Sequence, residues 1–166
     1  MDLITALAVS IGLLGGVATF LFASMGQLGL VWIAFIAWAS FYHCGGEAKG
    51  LQASLIANVW GVVMASVGLF LITHPFLGIT GNLWIAICVG LGAFILVLGA
   101  KLPALAAIPA SVYGFASTAG YALLTSTFDV TMPSFANPLI CVTLAMVVGG
   151  IFGIISQKVA GAITAG

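Results

Sequence analysis

The chain has 166 residues, 63% of them hydrophobic and only 4% charged, whereas an ordinary soluble domain is about a quarter charged, so a water-facing surface cannot be built from it. Lys49, Lys101 and Lys158 balance Asp2, Glu47 and Asp129, and arginine is absent, which removes the basic patch that a nucleic-acid partner would need. The length suits six membrane spans of roughly 20 apolar residues each and leaves almost nothing for an aqueous domain.

Six apolar stretches follow one another at 3–23, 28–43, 51–73, 82–100, 103–124 and 137–156, separated by short polar or Gly/Pro breaks. They are apolar on every side instead of alternating with period two, which favours helices over a membrane barrel. The expected fold is all-α: a polytopic transmembrane helix bundle of six spans, forming a single transmembrane domain over 1–166 that meets the lipid bilayer on its outside.

The first stretch begins directly after Asp2, without a basic segment ahead of it, and is too long for the apolar core of a signal peptide, so it is read as a retained first span. Thr5, Ala8, Gly12, Gly15 or Gly16, Thr19 and Ala23 give it a small-residue face. The second stretch is short and runs into Tyr42-His43-Cys44-Gly45-Gly46-Glu47-Ala48-Lys49-Gly50, where much of the chain's polar chemistry is concentrated. Two readings fit this connection. Gly45 and Gly46 end a helix in a plain loop with Glu47 and Lys49 solvated, or a re-entrant segment dips into a water-filled vestibule with His43 and Glu47 as its gate or selectivity groups. A metal site is not expected, because adjacent His43 and Cys44 do not face each other and His74 is assigned to the opposite side.

The third stretch has the clearest pattern. Ser54, Asn58, Gly61, Ala65 and Gly68 recur at spacings of four and three along one helical face, opposite lipid-compatible Leu55, Val59 and Val62. Small residues let helix backbones approach, and Asn58 can hydrogen-bond across such a contact. The same stripe could also wall a narrow polar path, since a buried amide is costly without partners or water. Ala107, Ser111, Gly114 and Thr118 form a comparable face on the fifth stretch, with Tyr113 placed deep in the membrane. Pro103 marks its start and Pro109 is expected to bend its interior, while Asn137-Pro138 reads as an N-cap followed by a first-position proline.

With six spans, all three lysines fall on the side shared by the two termini, which the positive-inside rule makes cytoplasmic. A division near Gly81 gives three spans per half, so a duplication would produce a 3+3 inverted repeat. Gly-rich first helices (Gly12, Gly15 and Gly16 against Gly90 and Gly92) and short second helices support that arrangement. Of the three cysteines, Cys88 and Cys141 lie in apolar runs, so no disulfide framework is expected. Nucleophile, metalloprotease, phosphate-loop and dinucleotide motifs are absent and no acids are paired within a helix. Neither an enzyme nor a cofactor is therefore expected.

The stretch 41–65, with Cys44-Gly45-Gly46 and Lys49-Gly50-Leu51, together with Ile108-Pro109-Ala110-Ser111-Val112-Tyr113-Gly114 and Gly149-Gly150-Ile151-Phe152-Gly153, resembles the YcdZ-like family of bacterial inner-membrane proteins of unknown function. The resemblance covers most of the chain. It implies a small multi-pass protein of a bacterial inner membrane and supplies no catalytic or binding residues.

Coupled carriers normally keep ionisable groups inside their spans, and these spans carry no carboxylate, lysine or arginine. The expected function is a channel or passive transporter for a small uncharged solute such as urea, an amide or ammonia, with Asn58, Ser54, Gly61, Tyr42, His43, Glu47, Lys49, Ser111, Tyr113 and Thr118 as candidate path residues. Glycine-rich faces also suit a homo-oligomer. The alternative is a non-transporting structural or accessory subunit of an inner-membrane complex, with every small-residue face devoted to packing.

Overall fold

The computed structural model describes residues 1–164, and positions 165 and 166 of the expected domain lie outside the described residues. Among the described residues there are six α-helices and no strand: α1 (Leu3–Ser24), α2 (Leu28–His43), α3 (Glu47–Thr73), α4 (Gly81–Leu98), α5 (Ile108–Thr125) and α6 (Pro138–Thr164). Two short 3-10 turns, Gly99–Lys101 and Pro103–Leu105, join α4 to α5.

Four helices are long and apolar enough to cross a membrane: α1, α3, α4 with the turn that follows it, and α6. The remaining two differ for separate reasons. α2 has only 16 residues, and α5 dilutes its apolar residues with Ser111, Ser117, Thr118 and three other hydroxyl-bearing side chains.

Several boundaries depart from the apolar pattern. α3 starts at Glu47, four positions before the apolar run, because Gly45, Gly46 and Glu47 all take positive φ and turn the chain within Cys44–Gly46. The 42–50 segment is thus the end of α2, a tight turn and the first turn of α3, and no re-entrant segment forms. Pro109 falls in the first turn of α5, where a missing N–H costs nothing. It starts the helix and does not bend it. α6 continues through Lys158 to Thr164. Its start is as read from the sequence, with the Asn137 side chain accepting from the Leu139 N–H at 2.9 Å.

α3 lies at the centre, packed along α5, α6 and α4, with α2 alongside; α2 runs along α6. α1 leans on α6 from outside, and α4 leans on α3. Val62, expected to face lipid, is fully buried because α3 is surrounded. Lipid-compatible surface is supplied by the flanking helices, where Ile4, Leu13 and Phe20 of α1 and Leu83, Leu91 and Phe94 of α4 are largely exposed.

Helix directions follow from the contacts. The Glu47 N–H donates to Gln157 of α6 and Ser40 of α2 bonds Asn58, so α3 is antiparallel to both, since Leu51 and Leu55 adjoin Gly150 further along. The Trp60 indole N–H donates to the Leu96 carbonyl and that of Trp84 to Leu71, which sets α4 antiparallel to α3. Glycine permits the two closest crossings. A Cβ on Gly61 would overlap the Ser111 carbonyl oxygen, and one on Gly114 would overlap that of Asn58, so α3 and α5 touch backbone to backbone. α6 meets α2 in the same way, where a Cβ on Gly149 would overlap the Ala34 carbonyl oxygen. Without a hydrophobic drive between helices in lipid, such close approach is the main source of cohesion.

Candidate functional site

The sequence-selected residues separate into three groups. Ser54, Asn58, Gly61, Ser111 and Thr118 are all buried in the bundle interior. The Ser54 hydroxyl donates to the Leu51 carbonyl at 3.1 Å and that of Thr118 to Gly114 at 2.9 Å, so both are spent on their own helices. Asn58 is completely buried. Its Oδ1 accepts from the Ser40 hydroxyl at 3.1 Å, while Nδ2 has no partner among the described residues. The hydroxyls of Ser111 and Ser117 are likewise buried without partners. An unpaired buried polar group costs about 1–3 kcal/mol, so three of them close to one interface require an explanation.

Tyr42 belongs to a different cluster. Its hydroxyl lies 2.7 Å from Ser156 Oγ, which also accepts from the Trp38 indole N–H at 2.9 Å and donates to the Gly153 carbonyl at 2.7 Å. This locks α2 to α6. Glu47 and Lys49 are exposed at one end of the bundle, where the main-chain N–H of Glu47 is capped by Gln157 Oε1 at 2.8 Å.

His43 and Tyr113 form the third group, and they meet. The imidazole Nδ1 and the phenol oxygen are 2.9 Å apart, joining the last residue of α2 to the second turn of α5. Hollows lie on either side of this bond. Towards the end remote from the lysines, a lateral groove of about 550 Å³ runs between α2 and α5, lined by Trp32, Ile36 and Ala39 on one side and Tyr113, Ala116, Ser117 and Tyr121 on the other. Towards the lysine-bearing end, a hollow of about 400 Å³ is bounded by His43, Cys44, Ala53 and the 103–109 segment. The His43–Tyr113 bond thus stands between the α2–α5 groove and a second hollow bounded by the end of α2, by α3 and by the segment leading into α5.

Among the described residues no three metal-ligating side chains come together. Asp129, in the loop after α5, is held below the usual carboxylate range by the Thr131 hydroxyl and N–H, which donate at 2.7 and 2.8 Å. Asp2 is lowered in the same way by Thr5, whose N–H and hydroxyl cap the start of α1 at 3.0 and 2.6 Å.

Ser40, Ser117, Ser156 and Gln157 were not among the sequence candidates. Ser117 carried one available signal: Gly114, Ser117 and Tyr121 share the three- and four-residue spacing that places them on one side of α5. Ser40 carried none, being a lone hydroxyl in an aromatic helix.

Six helices with largely apolar outer faces, four of them long and apolar enough to cross a bilayer, define an α-helical membrane protein. The chain belongs to the family described as protein of unknown function DUF1097, which matches residues 8–161. No curated protein matches it. No solved structure matches it either.

Proposed function

We propose that the protein is a passive transporter for a small uncharged solute, one of the YcdZ-like proteins of a bacterial inner membrane, with both termini cytoplasmic and its path along the α2–α5 seam. The observation that carries this reading is the His43–Tyr113 bond between two hollows. The groove is walled mainly by alkyl and aromatic groups and holds no charged side chain, so an ion would lose its hydration uncompensated. A neutral solute would not. The His43–Tyr113 bond would be the gate between the two hollows.

A 3+3 inverted repeat supports the same reading. Exchanging α1, α2, α3 with α4, α5, α6 carries the α3–α5 contact onto α6–α2 and the α1–α6 contact onto α4–α3. The close approach of Gly61 to Ser111 maps onto that of Gly149 to Ala34. The buried stripe Ala6, Ser10, Ala18 maps onto Trp84, Cys88, Leu96 with unchanged spacing. The two helices too short or too polar to be ordinary spans, α2 and α5, exchange with each other, and such paired irregular segments commonly border a transport site.

Purified protein in liposomes tests the proposal by stopped-flow light scattering with urea, acetamide, glycerol and ammonia. At least one flux above protein-free vesicles is expected, and protein-independent fluxes throughout would overturn it. The accessory-subunit reading is favoured by a separate observation, the backbone contacts of Gly61 with Ser111 and of Gly114 with Asn58, which leave no room for a solute between α3 and α5 at that crossing. Homo-oligomer formation is compatible with either.

A further inference from the structure

At the end of the bundle remote from the lysines, the last turn of α3 faces the loop that follows α5. Thr73, His74, Ser126, Asp129 and Thr131 line a hollow of about 480 Å³ there, together with Phe70 and Val130. Phe70 and Val130 also border a second hollow of about 340 Å³, whose other walls are Val63, Ser66 and Val67 of α3 and Leu139 of α6. The two shared residues make one cleft, polar beyond the helix ends and apolar where it follows α3.

Val63, Ser66, Val67 and Phe70 recur at the i, i+3, i+4, i+7 spacing of a single helical face. Although α3 is otherwise surrounded, Val63, Val67 and Phe70 of this face remain exposed. From Thr73 back to Val63 is ten residues of helix, about 15 Å. Half of a hydrocarbon layer about 30 Å thick has the same depth. The apolar arm of the cleft therefore runs the length of one leaflet, as an acyl chain does.

The polar arm offers acceptors. Thr131 donates to Asp129 Oδ1 from its hydroxyl at 2.7 Å and its N–H at 2.8 Å, so Oδ2 is not engaged by these bonds. Thr131 chiefly, and His74 to a lesser degree, hold this carboxyl below the usual range and keep it ionised. His74 Nδ1 lies 3.0 Å from the Phe70 carbonyl oxygen. That oxygen can only accept, so the neutral ring carries its proton on Nδ1 and leaves Nε2 as an acceptor. Stacking on Phe70, with ring centres 4.5 Å apart, holds the imidazole in this orientation. A carboxylate and a ring nitrogen thus share one hollow with no lysine at this end of the bundle. A primary ammonium group complements them, with the opposite charge and three N–H donors.

We propose that this cleft binds one phospholipid with a primary-ammonium headgroup, its ammonium between Asp129 and His74 and one acyl chain along Val63, Val67 and Phe70. A quaternary ammonium keeps the charge but has no N–H to donate. An anionic headgroup meets Asp129 without a lysine to offset it. The site is separate from the α2–α5 seam and does not depend on the transport reading.

Native mass spectrometry of the full chain in detergent micelles tests the site, by titration with phosphatidylethanolamine, phosphatidylcholine and phosphatidylglycerol of identical acyl chains. Wild-type protein is expected to bind phosphatidylethanolamine about fivefold more tightly than phosphatidylcholine, the upper range for an exposed ion pair. Phosphatidylglycerol should bind more weakly than either. Asp129→Asn keeps an oxygen that accepts from Thr131 but removes the charge, and should bring the affinity for phosphatidylethanolamine down to that for phosphatidylcholine. Val67→Trp fills the apolar arm and should weaken both alike. Circular dichroism separates loss of the site from loss of fold in each variant, and the wild-type headgroup ranking tests the site without any substitution. Equal wild-type affinities for phosphatidylethanolamine and phosphatidylcholine, or a preference that survives Asp129→Asn, would overturn the proposal. Competition by glycerophosphoethanolamine as strong as by the intact lipid would assign the polar arm to a soluble ammonium compound, and exclusion of lipid from a dimer alone would assign the cleft to a second copy. Either result also overturns it.

Discussion

Replacing Gly61 with alanine adds one methyl group at the tightest point of the bundle. In a helix facing open space the change is favourable by up to about 1 kcal/mol, because alanine is the better helix former. At Gly61 the new Cβ would overlap the Ser111 carbonyl oxygen and lie 2.7 Å from the Phe115 nitrogen, where ordinary Cβ contacts begin at 3.4 Å. Both obstacles are main-chain atoms inside α5, so neither can rotate away, and the helices must separate. A gap of about 0.5–1 Å forfeits roughly a quarter to a half of each dispersion contact along the seam. Overpacking typically costs about 1–3 kcal/mol, and with backbone on the far side Gly61→Ala should fall near the upper value, about 3 kcal/mol. Gly12 is the internal control, since its Cβ would meet nothing within 4 Å; Gly12→Ala should change stability by no more than about 1 kcal/mol. Reversible unfolding in mixed micelles with increasing SDS, followed by circular dichroism, gives both numbers. A Gly61→Ala protein as stable as wild type would refute the claim that backbone contact holds α3 to α5.

Tyr113→Phe keeps the ring but removes the bond to His43, and should raise solute flux about fivefold if that single hydrogen bond holds the seam shut; a flux no higher than wild type would remove the bond from the gate. Cysteine scanning in a background lacking Cys44, Cys88 and Cys141 should give rapid modification of Ala39→Cys by small aqueous thiol reagents and none of Ala65→Cys, whose position is buried in α3. The opposite pattern would move the path into the α3–α5 seam. Thr5 holds the Asp2 carboxyl below its ordinary value of 3.8, so the cap contributes fully above pH 3.8 and is lost as pH falls through the lower folded value. Hydrogen exchange in the first turn of α1 should therefore accelerate, relative to the mid-helix, as the pH falls below 3.8, whereas Asp2→Asn should flatten that dependence.

The helix count was legible because each apolar run is bounded by Gly, Pro or a polar residue, and the periodic small-residue stripe of α3 did mark a buried face. Its partner was not legible. Gly61 touches Ser111 and Gly114 touches Asn58 across 50 and 56 residues of chain, and spacing within one helix carries no information about which helix lies opposite. The same limit applied at His43 and Tyr113, which were selected separately for their chemistry and only the fold brought into contact. Hydroxyls were the least predictable. Ser54 and Thr118 sit on the expected faces yet bond their own carbonyls, whereas Ser117 keeps its hydroxyl free. Helix periodicity fixes a direction but not the competition between a side chain and the preceding turn. The helix starts at Glu47 and Ile108 depend on positive φ angles and on the missing N–H of Pro109, which apolar content does not register.

α2 spans about 24 Å and α5 about 27 Å, against roughly 40 Å for the 27-residue α3 and α6. Hydrocarbon about 30 Å thick covers the long helices with length to spare but exceeds the short pair. Lipid beside the α2–α5 face must therefore thin, drawing headgroups and water inwards towards both ends of the seam. The bilayer's own deformation shortens the dry distance across this face, and the protein is expected to work best in thin membranes.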